Sequence, residues 1–133
     1  MKKVSVSQKA IIYNKQGQIL ILHRTSGAPS NPNSWDLPGG ELDFGEDVLD
    51  GIIREIREET NLTCKDIKPF DVESHIDENG EFWVTIAYKC HCNLGDIKLS
   101  FEHDQFQWIS KKEINKFEFS NKIKRFINNY DTE

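Results

Sequence analysis

The sequence predicts an α/β protein in which a mixed β-sheet lies between two helices. Three observations carry that expectation. Segments of alternating apolar and polar residues recur between turn signals, the pattern of half-buried strands. After Gly45 the period becomes helical, with Leu49, Ile52, Ile53 and Ile56 on one arc that can face a core. Near the C-terminus, Ile123, Phe126, Ile127 and Tyr130 recur at i, i+3, i+4 and i+7, a second amphipathic helix. A chain of 133 residues can bury one core, so residues 1–133 are expected to form a single domain.

Val4 to Tyr13 alternates and should pair across Asn14-Lys15-Gln16-Gly17 with Gln18 to Arg24 as a hairpin. Thr25 to Ser34 is rich in Gly, Pro, Ser and Asn and reads as a loop. Trp35-Asp36-Leu37-Pro38-Gly39-Gly40 is a strand end running into a turn whose glycines tolerate positive φ and let another group approach the backbone. Glu46 and Asp47 then place negative charge at the positive end of the first helix. Beyond it, Lys68 to Ile76 and Glu81 to Cys92 flank Asn79-Gly80, a strong hairpin turn. Phe101 to Ile109 reads as a further strand, Ser110 to Glu113 as a capping box, and Ser120 as the cap of the last helix. Phe82 shares a strand face with Val84, Ile86 and Tyr88 and is expected in the core, as is Trp108.

Composition narrows the function. The formal charge is -5 and the pI about 5.4, which argues against a general nucleic-acid binder. Met1-Lys2-Lys3-Val4-Ser5-Val6 has no long apolar run, so no signal peptide is read there, and no stretch approaches a membrane span. The cytoplasm is the expected location. Three cysteines do not suggest a disulfide framework. Cys90-His91-Cys92 lacks a second Cys/His pair for zinc and reads as two buried thiols beside an exposed histidine.

The first helix carries the chemistry. Glu55, Glu58 and Glu59 stand at i, i+3 and i+4 and fill an arc of about 100°. Three like charges on one face repel, and helix propensity does not ask for them. A divalent cation converts that repulsion into binding, because hard cations prefer several carboxylate oxygens. Gly51 lies on the same face, where glycine costs about 1 kcal/mol against alanine. It reads either as drift from alanine or as room for the loop or substrate beside the carboxylates.

Gly40, Glu46, Arg54-Glu55, Ile56, Glu58-Glu59 and Leu62 together resemble the signature of the Nudix hydrolases. The signature runs Gly, five residues, Glu, seven residues, Arg-Glu, an aliphatic, any residue, Glu-Glu, any residue, Gly, an aliphatic. The one departure is Asn61 in place of its glycine, and Asn is the next residue after Gly to accept the left-handed conformation that ends a helix. The resemblance implies the Nudix α/β/α sandwich, with the mixed sheet between the carboxylate helix and the C-terminal helix. It also implies that Glu58 and Glu59 hold Mg2+ (or Mn2+) with the carbonyl of Gly39, and that Glu55 is either a further ligand or the base that takes a proton from water. Arg54 is expected to orient a neighbouring carboxylate, and Glu46 to hold the loop against the helix or to reach metal through water.

Glu102, six residues before Trp108, matches an offset at which MutT-like relatives bring a glutamate to the metal, with His103 and Asp104 near enough to share the role. Arg24 matches a position where relatives contact phosphate or base, although a strand-end arginine is also read simply as exposed. Gly40 is expected against the substrate. Trp83 is the aromatic best placed to stack a base, and Trp35 could pack the loop instead. The implied reaction is metal-assisted in-line attack of water on a nucleoside diphosphate linked to a further group X. No proline follows Pro69, and the stretch where dinucleoside polyphosphate hydrolases carry a tyrosine reads Asp77-Glu78-Asn79-Gly80. A MutT-like cleavage of a nucleoside triphosphate, canonical or oxidised, into monophosphate and pyrophosphate is therefore the leading expectation. A nucleotide-sugar, ADP-ribose or other diphosphate hydrolase and a non-catalytic nucleotide sensor are the alternatives. The partner is then a small nucleotide, with neither nucleic acid nor membrane. Many members of the family dimerise, so the resemblance admits a homodimer that no residue pattern specifies.

Overall fold

Strand β1 (Val4–Tyr13) is the hub of the sheet, and the other elements are arranged around it in the computed structural model, which describes residues 2–92 and 95–131. Met1, Asn93, Leu94, Thr132 and Glu133 lie outside the described residues. The order continues β2 (Ile19–Arg24), β3 (Trp35–Asp36), β4 (Gly39–Glu41), α1 (Val48–Thr60), β5 (Cys64–Ile76), β6 (Phe82–Cys92), β7 (His103–Ile109), a 3-10 turn (Lys111–Lys116) and α2 (Asn121–Asn129). β1 runs parallel to β6, from Val4 opposite Phe82 to Tyr13 opposite His91. β5 returns antiparallel to β6. The sheet is thus mixed, as expected.

The predicted hairpin of β1 and β2 exists only at its base, where Tyr13 faces Ile19. Beyond that pair β2 diverges and is flanked by β3 and β7. Ile19, Leu20, Ile21 and Leu22 are all fully buried, so this strand is apolar on both faces and belongs in the sheet interior. The freed edge of β1 is taken by β4, which pairs Gly39, Gly40 and Glu41 with Lys9, Gln8 and Ser7. This exchange brings the Gly-Gly turn onto the sheet.

Each face of the sheet carries one helix. On one side Ile52 and Ile56 of α1 pack with Ala10, Ile12, Leu20, Leu22, Tyr88 and Cys90. On the other, Ile123, Phe126 and Ile127 of α2, with Tyr130, pack with Ile11, Ile19, Ile21, Ala87 and Ile109. Burying each isoleucine of this kind contributes about 2–3 kcal/mol. The apolar arc of α1 is narrower than predicted. Leu49 and Ile53 remain 45% and 43% exposed, because the helix meets the sheet along a single seam.

Asp47 caps α1 by accepting from the N–H groups of Leu49 and Asp50. Asn61 ends it in the left-handed conformation, φ 66°, with its N–H donating to Arg57 O at 2.9 Å. Its side chain also donates to Asp96 O at 3.2 Å, a bond glycine could not make. The capping-box glutamate Glu113 accepts from the Ser110 N–H at 3.0 Å, and Ser120 caps α2 through the Ile123 N–H.

Several boundaries and packing roles differ from the sequence reading. β5 begins at Cys64 and not Lys68, and two register shifts on either side of Lys68 and Pro69 break the alternation that would have revealed it. β7 begins at His103, with Phe101 and Glu102 in the preceding turn. Phe82 is 40% exposed at the hairpin mouth beside Ile76, not in the core. Trp108 is partly buried against the α1-side core. Cys90 is buried, but Cys92 is half-buried and faces Cys64 across the strand pair, Sγ to Sγ 2.8 Å. His91 is half-buried against the Tyr13 ring and not exposed. Among the described residues no helix is long and apolar enough to cross a membrane.

Candidate functional site

The site forms where β4 presses against the last two turns of α1. Gly39 has φ 147°, and a Cβ there would collide with the Gln8 carbonyl across the strand pair. Only glycine fits. Its N–H donates to Glu59 Oε1 at 2.7 Å, tying the turn to the helix. At Gly40 a Cβ would stand 2.7–2.8 Å from the Glu55 carboxylate, so the missing side chain makes room for that glutamate. Gly51 is explained in the same way. A Cβ there would meet Gln8 Oε1 at 2.7 Å and Leu42 Cδ1 at 2.8 Å, which supports the loop-packing reading. Gln8 cannot easily swing aside, because its Nε2 donates to Val48 O and to the Tyr88 hydroxyl, both at 2.7 Å.

Arg54 organises the carboxylates. It holds Glu46 with two bonds, Nε to Oε2 at 2.8 Å and Nη2 to Oε1 at 3.0 Å. It also reaches Glu55 at 3.2 Å and Glu58 at 3.3 Å. Glu46 in turn accepts from the Asp43 N–H at 3.1 Å, so Glu46 joins the loop to the helix. The Arg54 hydrogen bonds hold the Glu46 carboxyl below its ordinary value. Arg54 thus contacts three carboxylates at once, and Glu46 links the loop to the helix.

A buried polar layer lies beneath. Lys9 Nζ donates to Asp36 Oδ2 at 2.8 Å and to Leu37 O at 3.3 Å. Arg24 stands 3.5 Å from the same carboxylate, while its Nε donates to Ser30 O at 2.8 Å, so this arginine is neither exposed nor unpaired. Burial works against ionised Asp36, but the Lys9 ammonium, the Leu37 N–H and Arg24 together hold its carboxyl below the usual range. Burial pushes Glu59 up to about 8, against the lowering effects of Lys9 and the Gly39 N–H. Burial also raises Glu55, against the nearby Arg54. Glu58 is the outer member of the ridge, with its side chain 58% exposed.

Residue 102 and its neighbour are placed differently. Glu102 is exposed in the turn before β7, and its backbone carbonyl accepts from Thr25 N–H at 3.2 Å. Among the described residues no hydrogen bond or ion pair engages its carboxylate. His103 turns inward instead, 5% exposed, with Nδ1 4.0 Å from Glu59 Oε2. Among the described residues neither of its ring nitrogens has a hydrogen-bond partner. Burial lowers His103 to about 4, with Asp36 opposing the shift.

Trp83 is half-buried on the sheet face it shares with Thr85, and its indole N–H donates to Asp77 Oδ2 at 3.0 Å. On that face Ser7 and Thr85 hydroxyls meet at 2.7 Å, and Lys122 of α2 donates to Thr85 at 3.3 Å. Trp35 packs its ring against His23 of β2 and Phe117 after the 3-10 turn. Lys9 and Asp36 were missed by the sequence reading. A lysine in mid-strand directly before Ala10-Ile11-Ile12 was the available signal.

The donors fit a hard divalent cation. Two carboxyls with raised pKa values gather at one turn whose glycines leave space beside them. The side chains are nevertheless drawn to Arg54 and the Gly39 N–H, and among the described residues no three His, Cys, Asp or Glu side chains stand in a chelating cluster.

Comparison with known proteins agrees with this architecture. The NUDIX domain profile matches residues 3–130. The MutT protein of Methanosarcina mazei Go1 superposes with a TM-score of 0.80 at 29% identity, over 96% of this chain and 92% of that one. A MutT NUDIX hydrolase from Burkholderia pseudomallei gives 0.82 at 26% identity, over 98% and 100%. In sequence, an 8-oxo-dGDP phosphatase of Mus musculus is 26% identical over 103 residues, 77% of this chain and 30% of that protein. The chain spans 30% or less of the length of the first relatives it matches. A profile matched almost end to end, on a sandwich shared with MutT proteins, establishes that the chain belongs to the NUDIX family.

Proposed function

We propose that the chain is a divalent-cation-dependent pyrophosphohydrolase acting on a nucleoside diphosphate linked to X. The leading substrate is a nucleoside triphosphate, canonical or oxidised, cleaved to monophosphate and pyrophosphate. The observation that carries this reading is the Gly39 N–H to Glu59 bond of 2.7 Å, which sets the carboxylate ridge directly against a glycine turn that can admit phosphate oxygens.

Glu58 and Glu59 would hold the cation, with Glu55 either joining them or accepting the proton of the attacking water. Once bound, Mg2+ or Mn2+ would supply the positive charge that neutralises the diphosphate oxygens and acidifies water. Arg54 keeps Glu55 and Glu58 aimed by holding them within 3.2–3.3 Å while Glu46 anchors its other edge. Gly40 leaves the approach to Glu55 open. Glu55 lies in a half-buried setting that raises its pKa, the direction a general base needs to work near neutral pH. Trp83 lies four residues along β6 from Ala87, which is level with Lys9 and hence with Gly39. That is about 13 Å along the strand. A nucleotide with its phosphates at the turn would lie along this face toward the indole.

The relative from Mus musculus acts on 8-oxo-dGDP, which favours a second reading in which X is a hydrogen and the substrate is an oxidised nucleoside diphosphate. A panel of canonical and oxidised nucleoside tri- and diphosphates, nucleotide sugars and ADP-ribose separates the readings by product. Pyrophosphate release from a triphosphate supports the first, and orthophosphate release from a diphosphate the second. Turnover of nucleotide sugars or ADP-ribose alone discards both in favour of another diphosphate ester. No turnover of any member would point to a sensor.

A further inference from the structure

Cys64 opens β5 and Cys92 closes β6, and the antiparallel register sets them directly opposite each other. Opposed residues of an antiparallel pair hold their Cα atoms about 4.5–5.5 Å apart, inside the range of about 4.4–6.8 Å that a disulfide spans. Their sulfurs already touch as free thiols, Sγ to Sγ 2.8 Å. Closing to a bond of about 2.0 Å therefore moves side chains and leaves both strands in place. The two residues are half-buried and within reach of a small reagent, whereas Cys90 is fully buried. Cys92 also lines a cleft of about 370 Å³ with Lys15, Lys65, Asp66 and His91. The cleft lies past Tyr13, where β1 ends, and away from the pairing of Gly39 with Lys9. Two ammonium groups against one carboxylate give it a positive balance that suits an acidic molecule.

We propose that Cys64 and Cys92 close to a reversible disulfide by exchange with a small acidic disulfide that docks at this cleft. The Cys92 thiolate attacks one sulfur of the incoming disulfide, breaking its S–S bond and expelling one thiolate. The Cys64 thiolate then attacks the Cys92 sulfur of the mixed disulfide and expels the second. Two protein thiols are oxidised to one disulfide. The reagent is reduced to two thiols, which take up the two protons the cysteines give up. Contact with Cys90 raises Cys64 and contact with Cys64 raises Cys92, so both rest as protonated thiols near neutral pH. The first step is accordingly slow, and proximity drives the second. The bond ties the strand pair just after α1, where Thr60 and Asn61 bind the backbone of Lys98 and Asp96. The oxidised protein is the more stable form.

Oxidised glutathione is the probe, applied to the folded full chain. Intact mass should fall by about 2 Da with one thiol left for alkylation, and peptide mapping should join Cys64 to Cys92. The oxidised protein should melt about 5–10 °C above the reduced one, and dithiothreitol should reverse both changes. Cys64→Ser should retain glutathione on Cys92, and Cys90→Ser should close as the wild type does. Replacing Lys15 and Lys65 together by Gln should slow closure by glutathione about three-fold or more, and leave closure by the neutral 2-hydroxyethyl disulfide unchanged. Mapping of the wild type decides the pairing even if a serine variant fails to fold. No exchange, a lasting mixed disulfide on wild-type Cys92, a link through Cys90, or equal melting of both forms overturns the inference. Equal slowing of both reagents, or of neither, overturns docking at the cleft.

Discussion

Gly40 and Gly51 show how much of this site depends on atoms that are missing. At Gly40 an added methyl would enter the space of the Glu55 carboxylate. Gly40→Ala should leave thermal stability within about 0.5 kcal/mol, since the Glu55 side chain can move. It should lower kcat/KM at least ten-fold because that carboxylate is displaced, and paired melting and steady-state measurements separate the two effects. Gly51 reverses the usual expectation. Helix propensity alone predicts that Gly51→Ala gains about 1 kcal/mol. The contacts with the doubly hydrogen-bonded Gln8 and with Leu42 predict a net loss of about 1 kcal/mol instead. Urea denaturation reads the sign directly.

At the scale of elements, α1 joins two functions on opposite sides, and the sequence revealed one better than the other. The spacing of Glu55, Glu58 and Glu59 set the carboxylate ridge, and Asn61 marked the left-handed end, because helical period and cap chemistry are local properties. Which apolar residues reach the sheet depends on how the helix is seated, and that is a tertiary outcome. Leu49 and Ile53 were expected inward and lie at the rim. Accordingly Ile56→Ala should cost about 3 kcal/mol, and Ile53→Ala less than about 1. Equal losses in denaturant unfolding would contradict the seating described here. The divergence of β2 from β1 and the early start of β5 were hidden for the same reason. The four consecutive buried residues of β2 and the register shifts in β5 leave no clean period of two. His103 was noticed only as a neighbour of Glu102, because sequence alone does not say which side of a turn faces inward.

For the whole molecule, two buried groups at one site set opposing pH dependences. Glu59 titrates near 8 in the fold against an ordinary 4.5. Between those values the native state keeps a proton that the unfolded chain has lost, so stability falls as pH rises. His103 titrates near 4 in the fold against an ordinary 6.5, so there the unfolded chain holds the extra proton and stability rises with pH. The two effects offset each other up to about pH 6.5. Above that only the Glu59 effect remains. Protein kept in chelator should therefore lose on the order of 2 kcal/mol between about pH 6.5 and 8. Saturating Mg2+ or Mn2+ should flatten the decline, since ionised Glu59 is then the better ligand. Chemical denaturation at several pH values, with and without cation, measures both slopes.

The ridge of α1 and the Gly39-Gly40 turn are proposed to form together a cation-dependent hydrolytic centre. Its most direct test is the rate of cleavage of the fastest nucleotide of the panel by wild type and Glu59→Gln, each verified as folded, in chelator and after Mg2+ or Mn2+ is restored. The expected result is no cleavage in chelator, full recovery with cation, and a loss of at least about 100-fold in Glu59→Gln at any cation concentration. Undiminished cleavage in chelator, or a folded Glu59→Gln within two-fold of wild type, would contradict it.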